Sequence, residues 1–141
     1  MLAGCSRPVA VPPASPAPSG TDAARCDALA AALPATVQGQ ARRDVQPASS
    51  TTASWGDPPI VLRCGVPHPP GLTPTVEVID VEGVRWYAEQ LGAGYRFTTS
   101  GRTPYLEVTV PDAYRPEVDP LVDLGGAVRA ALPATAPSSS P

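Results

Sequence analysis

Along most of the chain the apolar positions recur with one of two periods. Cys26, Leu29, Ala30 and Leu33 fall at i, i+3, i+4 and i+7, the stripe that one face of an α-helix presents. Thr21-Asp22 places a capping residue and an early acid in front of that stripe, and Pro34 stops it. Residues 36–45, "TVQGQARRDV", form a weak first strand whose polar content suits a sheet edge. Residues 45–59, "VQPASSTTASWGDPP", read as a loop. "IVLRCG" (60–65) is a short apolar run between prolines and glycine, the signature of a mostly buried strand. Ile60, Leu62 and Cys64 share one of its faces.

A rigid loop, "VPHPPGLTP" (66–74), leads to two hairpin signals. The first is "TVEVIDV" and "VRWYAEQ" around Glu82-Gly83. The second is "YRFTT" and "PYLEVTV" around "SGRT", with Ser100-Gly101 in the turn. In its last strand Leu106, Val108 and Val110 point one way while Tyr105, Glu107 and Thr109 point the other. "PLVDLGGAVRAALP" (120–133) closes the chain's pattern as a helix, with Leu121, Leu124, Val128 and Leu132 on one side. Gly125-Gly126 within it costs roughly 1 kcal/mol per glycine relative to alanine, which implies close packing on the sheet or a break.

Helix, antiparallel strands, helix is an α+β order. One polar face per strand predicts a two-layer sandwich: an antiparallel sheet of about 5–6 strands with the N-terminal and C-terminal helices on one face. The length of 141 residues suits one folded unit, expected over 21–133, with "ATAPSSSP" (134–141) as a disordered tail.

The cysteines add a compartment. Leu2-Ala3-Gly4-Cys5 has an aliphatic residue, two small residues and a cysteine, the lipobox pattern of bacterial lipoproteins. There the thiol becomes a diacylglyceryl thioether and a peptidase cuts just before it. Residues 1–5 are therefore expected to be the remnant of an export signal, with about 15–25 further codons upstream. Residues 6–20, "SRPVAVPPASPAPSG", fit a Pro/Ala/Ser-rich tether between anchor and domain. With Cys5 lipidated, Cys26 and Cys64 make an even pair. In an exported protein they form a disulfide, worth ~3.5–4 kcal/mol in the chain-entropy account. Two buried free thiols or a metal pair are the alternatives, and neither cysteine lies in a C-x-x-C.

Charge narrows the partners. The net charge is −3, and the ten basic residues are all arginine without forming a run. An acidic chain of this kind is not built for nucleic acid. The twenty prolines gather at 8–18, 58–74 and 133–141, marking tails and loops rather than the fold.

Catalytic patterns are sparse. His68, the single histidine, sits between prolines in "VPHPPG", a poor place for a general base. Carboxylates Asp57, Asp80, Glu82, Glu107 and Asp112 are scattered, and no phosphate loop, dinucleotide fingerprint or zinc spacing occurs. No cofactor or metal is expected. The remaining candidates are surface residues. Trp55, Asp57 and Arg63 in "WGDPPIVLRCG" either cap the core and make a turn or form a ligand or partner surface. Arg85 and Arg102 beside Trp86 and Tyr87 offer a second aromatic-basic patch, against readings of Trp86 as core and Arg102 as a turn residue.

The stretch from Cys26 to Pro34, "WGDPPIVLRCGV" (55–66), "VEGVRW" (81–86), "FTTSGRTPYLEVTVP" (97–111) and the closing amphipathic helix together resemble the actinobacterial envelope family known as domain of unknown function 3515. The resemblance covers about residues 22–133 and implies export with membrane or lipid attachment, and it brings no catalytic residue. The expectation is an exported protein, lipid-anchored through Cys5 on the extracytoplasmic face of the cell membrane. It would be a non-catalytic binding or accessory domain that meets an envelope protein or cell-wall component. A small secreted hydrolase with an unrecognised site is the alternative.

Overall fold

A computed structural model describes residues 7–135. The strands are β1 (Val9–Ala10), β2 (Thr36–Val37), β3 (Gln40–Arg43), β4 (Val45–Gln46), β5 (Thr52–Trp55), β6 (Ile60–Val66), β7 (Ile79–Val81), β8 (Val84–Leu91), β9 (Gly94–Ser100) and β10 (Tyr105–Pro111). The helices are α1 (Gly20–Ala32) and α2 (Asp119–Ala131). Eight strands form one antiparallel sheet in the order β2-β3-β5-β6-β10-β9-β8-β7, and β1 pairs in parallel with β4 beside it. The class is mixed α and β as expected, but the sheet is longer than the expected 5–6 strands.

Two segments account for the difference. Residues 36–45 are not one strand, because Gln38 and Gly39 adopt φ of 51° and 73° and fold the segment into the β2–β3 hairpin. Residues 52–55, expected as loop, are the interior strand β5, buried throughout. Its Ser/Thr content hides it from an apolar-alternation test, since both of its faces are covered. Ala53 and Trp55 enter the core, while Thr52 and Ser54 face the other side and are buried as well.

The core lies on one face of the sheet. Ile60, Leu62 and Cys64 of β6, Leu106, Val108 and Val110 of β10, Phe97, Trp86 and Trp55 meet Cys26 and Leu29 of α1 and Leu121, Leu124 and Val128 of α2. Both helices therefore pack on that face. Cys26 and Cys64 are joined by a disulfide with Cα atoms 5.8 Å apart, which staples α1 to the interior strand β6. Closing a loop of 38 residues in sequence stabilises the fold by ~3.5–4 kcal/mol in the chain-entropy account. Gly125 is resolved in favour of close packing, since α2 runs unbroken and a Cβ there would lie 3.1 Å from the Glu82 Cβ in the β7–β8 turn.

The opposite face is covered differently. The segment expected as a free tether is, from residue 7 onward, a strap laid on the sheet. Val11 and Ala14 are buried, and Val9 and Val11 donate backbone hydrogen bonds to Asp44 and Gln46. Its prolines meet the polar outer side of β6, where Arg63 donates to the Pro12 carbonyl and Pro18 stands against Gly65. Thr52 Oγ1, Ser54 Oγ and Arg43 Nε have no hydrogen-bond partner among the described residues.

Candidate functional site

The alternation that sends Leu62, Leu106, Val108, Phe97 and Trp86 inward sends Arg63, Glu107, Arg96, Thr98 and Glu89 outward, on four adjacent strands. Register does the pairing. Arg63 stands directly opposite Glu107, and Arg96 directly opposite Glu89. The Arg63–Glu107 pair closes at 3.1 Å and the Arg96–Glu89 pair at 3.0 Å. Across the strands the charges run plus, minus, plus, minus. Each cross-strand pair of this partly exposed kind contributes up to roughly 1 kcal/mol. Arg96 is held protonated above its ordinary range, first by its hydrogen bond to Glu89, against the opposing effect of burial, and then by the charges of Glu89 and Glu107.

Proline-rich segments wall this row in. Arg63 Nε donates to the carbonyl of Pro12 in the strap at 2.8 Å. On the other side, Pro67, His68, Pro69 and Pro70 stand along an open cleft of about 200 Å³ whose floor is Arg63, Thr98, Arg96, Glu89 and Glu107. His68 packs edge-on against Tyr105 with ring centres 5.3 Å apart. The loop then returns to the sheet at Gly71, where a Cβ would meet the Tyr87 hydroxyl and the Tyr87 ring would have to move aside. Thr98 is 1% exposed beneath this roof.

The cleft offers paired donors and acceptors on a rigid floor. Such an arrangement recognises a ligand by hydrogen bonds and charge. It holds no side-chain nucleophile activated by a base, and His68 hydrogen-bonds no carboxylate among the described residues. No group of three or more His, Cys, Asp or Glu able to hold a metal occurs among the described residues.

The residues proposed from sequence are divided by the sheet. Trp55 is 0% exposed on the inner face, its Nε1 donates to the carbonyl of Pro34 at 3.1 Å, and Arg42 lies 5.3 Å over its ring. A surface role for Trp55 is thereby corrected: β5 pairing puts it over Ile60 in the core. Asp57 is exposed in the β5–β6 turn, where its charge adds to burial in raising the Tyr114 phenol pKa, with Arg43 opposing. Arg63 alone of that motif enters the cleft.

Arg85 and Arg102 do come together, along a separate hollow of about 400 Å³ with Gly83, Ser100 and Gly101. There Arg102 is spent on the fold, donating to the carbonyls of Leu132 at 2.7 Å and Gly83 at 3.3 Å. Trp86 is core, at 0% exposed. Cys5 lies outside the described residues. The sequence reading missed Arg96 and Glu89 as site residues. Their spacing of seven across a two-residue turn, Gly92-Ala93, is the signal that pairs them.

No helix among the described residues is long and apolar enough to cross a membrane. Comparison with curated proteins and with solved structures gave no match. Comparison with family models did: one matches residues 4–137, nearly the whole chain, and by that match the chain belongs to the family described as "Protein of unknown function (DUF3515)".

Proposed function

We propose that this protein is a non-catalytic binding module of the cell envelope, lipid-anchored through Cys5 on the extracytoplasmic face of the membrane. In this reading its outer-face cleft engages an envelope protein or cell-wall component. The observation that carries the binding role is the cleft itself: four charges, paired in two cross-strand couples and walled by prolines, on a face that the core does not need. Such a surface suits a ligand with both charges or with amide groups, which exchange hydrogen bonds with Arg and Glu in turn. Export is supported by the Cys26–Cys64 disulfide, because such bonds persist in oxidising compartments. The lipobox-like Leu2-Ala3-Gly4-Cys5 supports the anchor.

Two experiments test this reading. Expressed from its own locus, the protein should enter the detergent phase on partitioning, and Cys5→Ser should move it to the aqueous phase; unchanged partitioning counts against the anchor. A photo-crosslinking residue at position 68, on the cleft wall, should give a discrete adduct in intact cells. The same residue at the exposed Val122 on α2 should not. Equal labelling at both positions, or none at either, would overturn the cleft as the binding site.

A further inference from the structure

The far side of β8 carries a second surface of a different kind. Val81 and Val84 close the two-residue turn Glu82-Gly83, whose φ values are 54° and 82°. A turn of that type makes its flanking residues a hydrogen-bonded pair. Alternation then directs the backbone N–H and C=O of Val84, Trp86, Ala88 and Gln90 towards β7. But β7 begins at Ile79, opposite Trp86. Ala88 and Gln90 therefore present their backbone groups to an open edge, and no backbone hydrogen bond from the preceding loop reaches them among the described residues. Natural sheets usually shorten, cover or charge such an edge.

This edge borders a mainly apolar hollow of about 290 Å³ lined by Ile79, Ala88, Tyr95, Phe97, Pro116 and Val118, together with Glu117, whose carboxylate is paired with Arg115 at 3.7 Å. Ile79 is 37% exposed and Leu91 36%. An added strand would put alternate side chains into this hollow, on the inner side of Ala88 and Gln90. The residue between them would lie on the outer side, next to Glu89.

A second copy of the chain fits poorly. The antiparallel register that uses both open residues on both copies sets Ala88 against Gln90 and Glu89 against Glu89. Like charges directly opposed destabilise a strand pair. Glu89 ends the plus, minus, plus, minus row with Arg96 as its partner on β9 at 3.0 Å, so a strand added beyond it continues the alternation with a cation, in keeping with the net charge of −3.

We propose that the Ala88–Leu91 edge of β8 docks an extended segment of a partner protein in which a basic residue stands between two apolar ones. The apolar side chains enter the hollow, the base meets Glu89, and the main chain completes the bonds that β7 leaves unmade. This surface shares Glu89 with the cleft, but the main-chain groups of Ala88 and Gln90 belong to the edge alone, so a test read at those amides separates the two.

The test uses the full, disulfide-bonded chain and a short blocked peptide with isoleucine, lysine and isoleucine at its centre and threonine on both sides. At saturating peptide, hydrogen exchange at the Ala88 and Gln90 amides should slow about tenfold or more. Replacing the lysine with glutamate, or methylating the peptide's central backbone nitrogens, should weaken binding about tenfold, the net worth of roughly one hydrogen bond. Gln90→Pro should weaken it similarly, because its N–H is not used by the sheet and proline is tolerated at an edge. The methylated peptide keeps the test decisive should that variant fold badly. Unchanged exchange at both amides, or equal binding of the methylated peptide, would overturn the proposal. So would peptide-free dimerisation that Gln90→Pro abolishes, since the edge would then belong to a second copy.

Discussion

The two faces of the sheet are made by alternate residues of the same strands, and they are held in different ways. On β6, Ile60, Leu62 and Cys64 point into a core closed by two helices and a disulfide. Between them, Val61, Arg63 and Gly65 point to a face covered only by proline-rich segments and lined by paired charges. Burial of apolar surface stabilises by about 25 cal/mol per Å², whereas a partly exposed ion pair adds up to about 1 kcal/mol. The inner face therefore sets stability, and the outer face is free to vary its chemistry. The candidate site lies where the fold has least need of the residues.

The sharpest way to break this contrast is to empty the inner face. Phe97→Ala removes a ring that is 1% exposed and stacks on Tyr95, and should cost ~3–5 kcal/mol in urea unfolding. Next comes the staple. Replacing Cys26 and Cys64 together with alanine should cost ~2–4 kcal/mol and leave the urea midpoint of the variant insensitive to reductant, unlike the wild type. A reductant-insensitive wild type would show that the bridge adds nothing. On the outer face, Arg63→Ala should cost only about 1 kcal/mol, the worth of its cross-strand pair with Glu107 and its bond to the strap. A loss as large as that of Phe97→Ala would erase the distinction between the faces.

The smallest effects sharpen the comparison. Thr52→Val removes a buried hydroxyl without a partner, so its stability should stay level or rise by up to about 1 kcal/mol. A marked fall would reveal a hidden partner under the strap. Tyr114 has its phenol pKa raised above the ordinary 10.0 by burial and by Asp57. A raised folded value favours the neutral phenol. Its contribution is therefore complete below pH 10 and is lost as pH rises through the folded value. As pH rises from neutral through 10.0 and on past the folded value, Tyr114→Phe should lose less stability than the wild type.

Much of the inner face was legible in the chain. The i, i+3, i+4, i+7 stripe of α1, the alternation in β6 and β10 and the Glu82-Gly83 turn each repeat a physical period, and each stands where that period placed it. The strand β5 was not legible. Thr52-Ala53-Ser54-Trp55 is buried on both sides in the folded chain, where β4 packs beside it and a strap from nearly forty residues earlier is tied to β4, and periodicity within a short window carries no such information. The same long-range return hid the role of residues 7–18, which compose like a linker but pack on the outer face of the sheet. Arg63 was legible as a surface candidate, but its partners were not. Glu107 comes from β10, and Arg96 and Glu89 from a hairpin that begins some twenty residues after Arg63. Only strand order brings the four together. Trp55 left two readings open beside its Gly-Asp-Pro-Pro turn, a core cap or a displayed tip, and strand pairing turns it inward and decides for the core.

The central claim is that the outer face serves recognition and not folding. Urea unfolding of a variant with Arg63, Glu89, Arg96 and Glu107 all replaced by threonine, a strand-favouring residue, tests it most directly. The account predicts a cooperative transition within about 2 kcal/mol of the wild type, with the Cys26–Cys64 bond formed, and loss of the adduct from a crosslinker at position 68. A variant that fails to fold, or that unfolds as easily as Phe97→Ala, would contradict it.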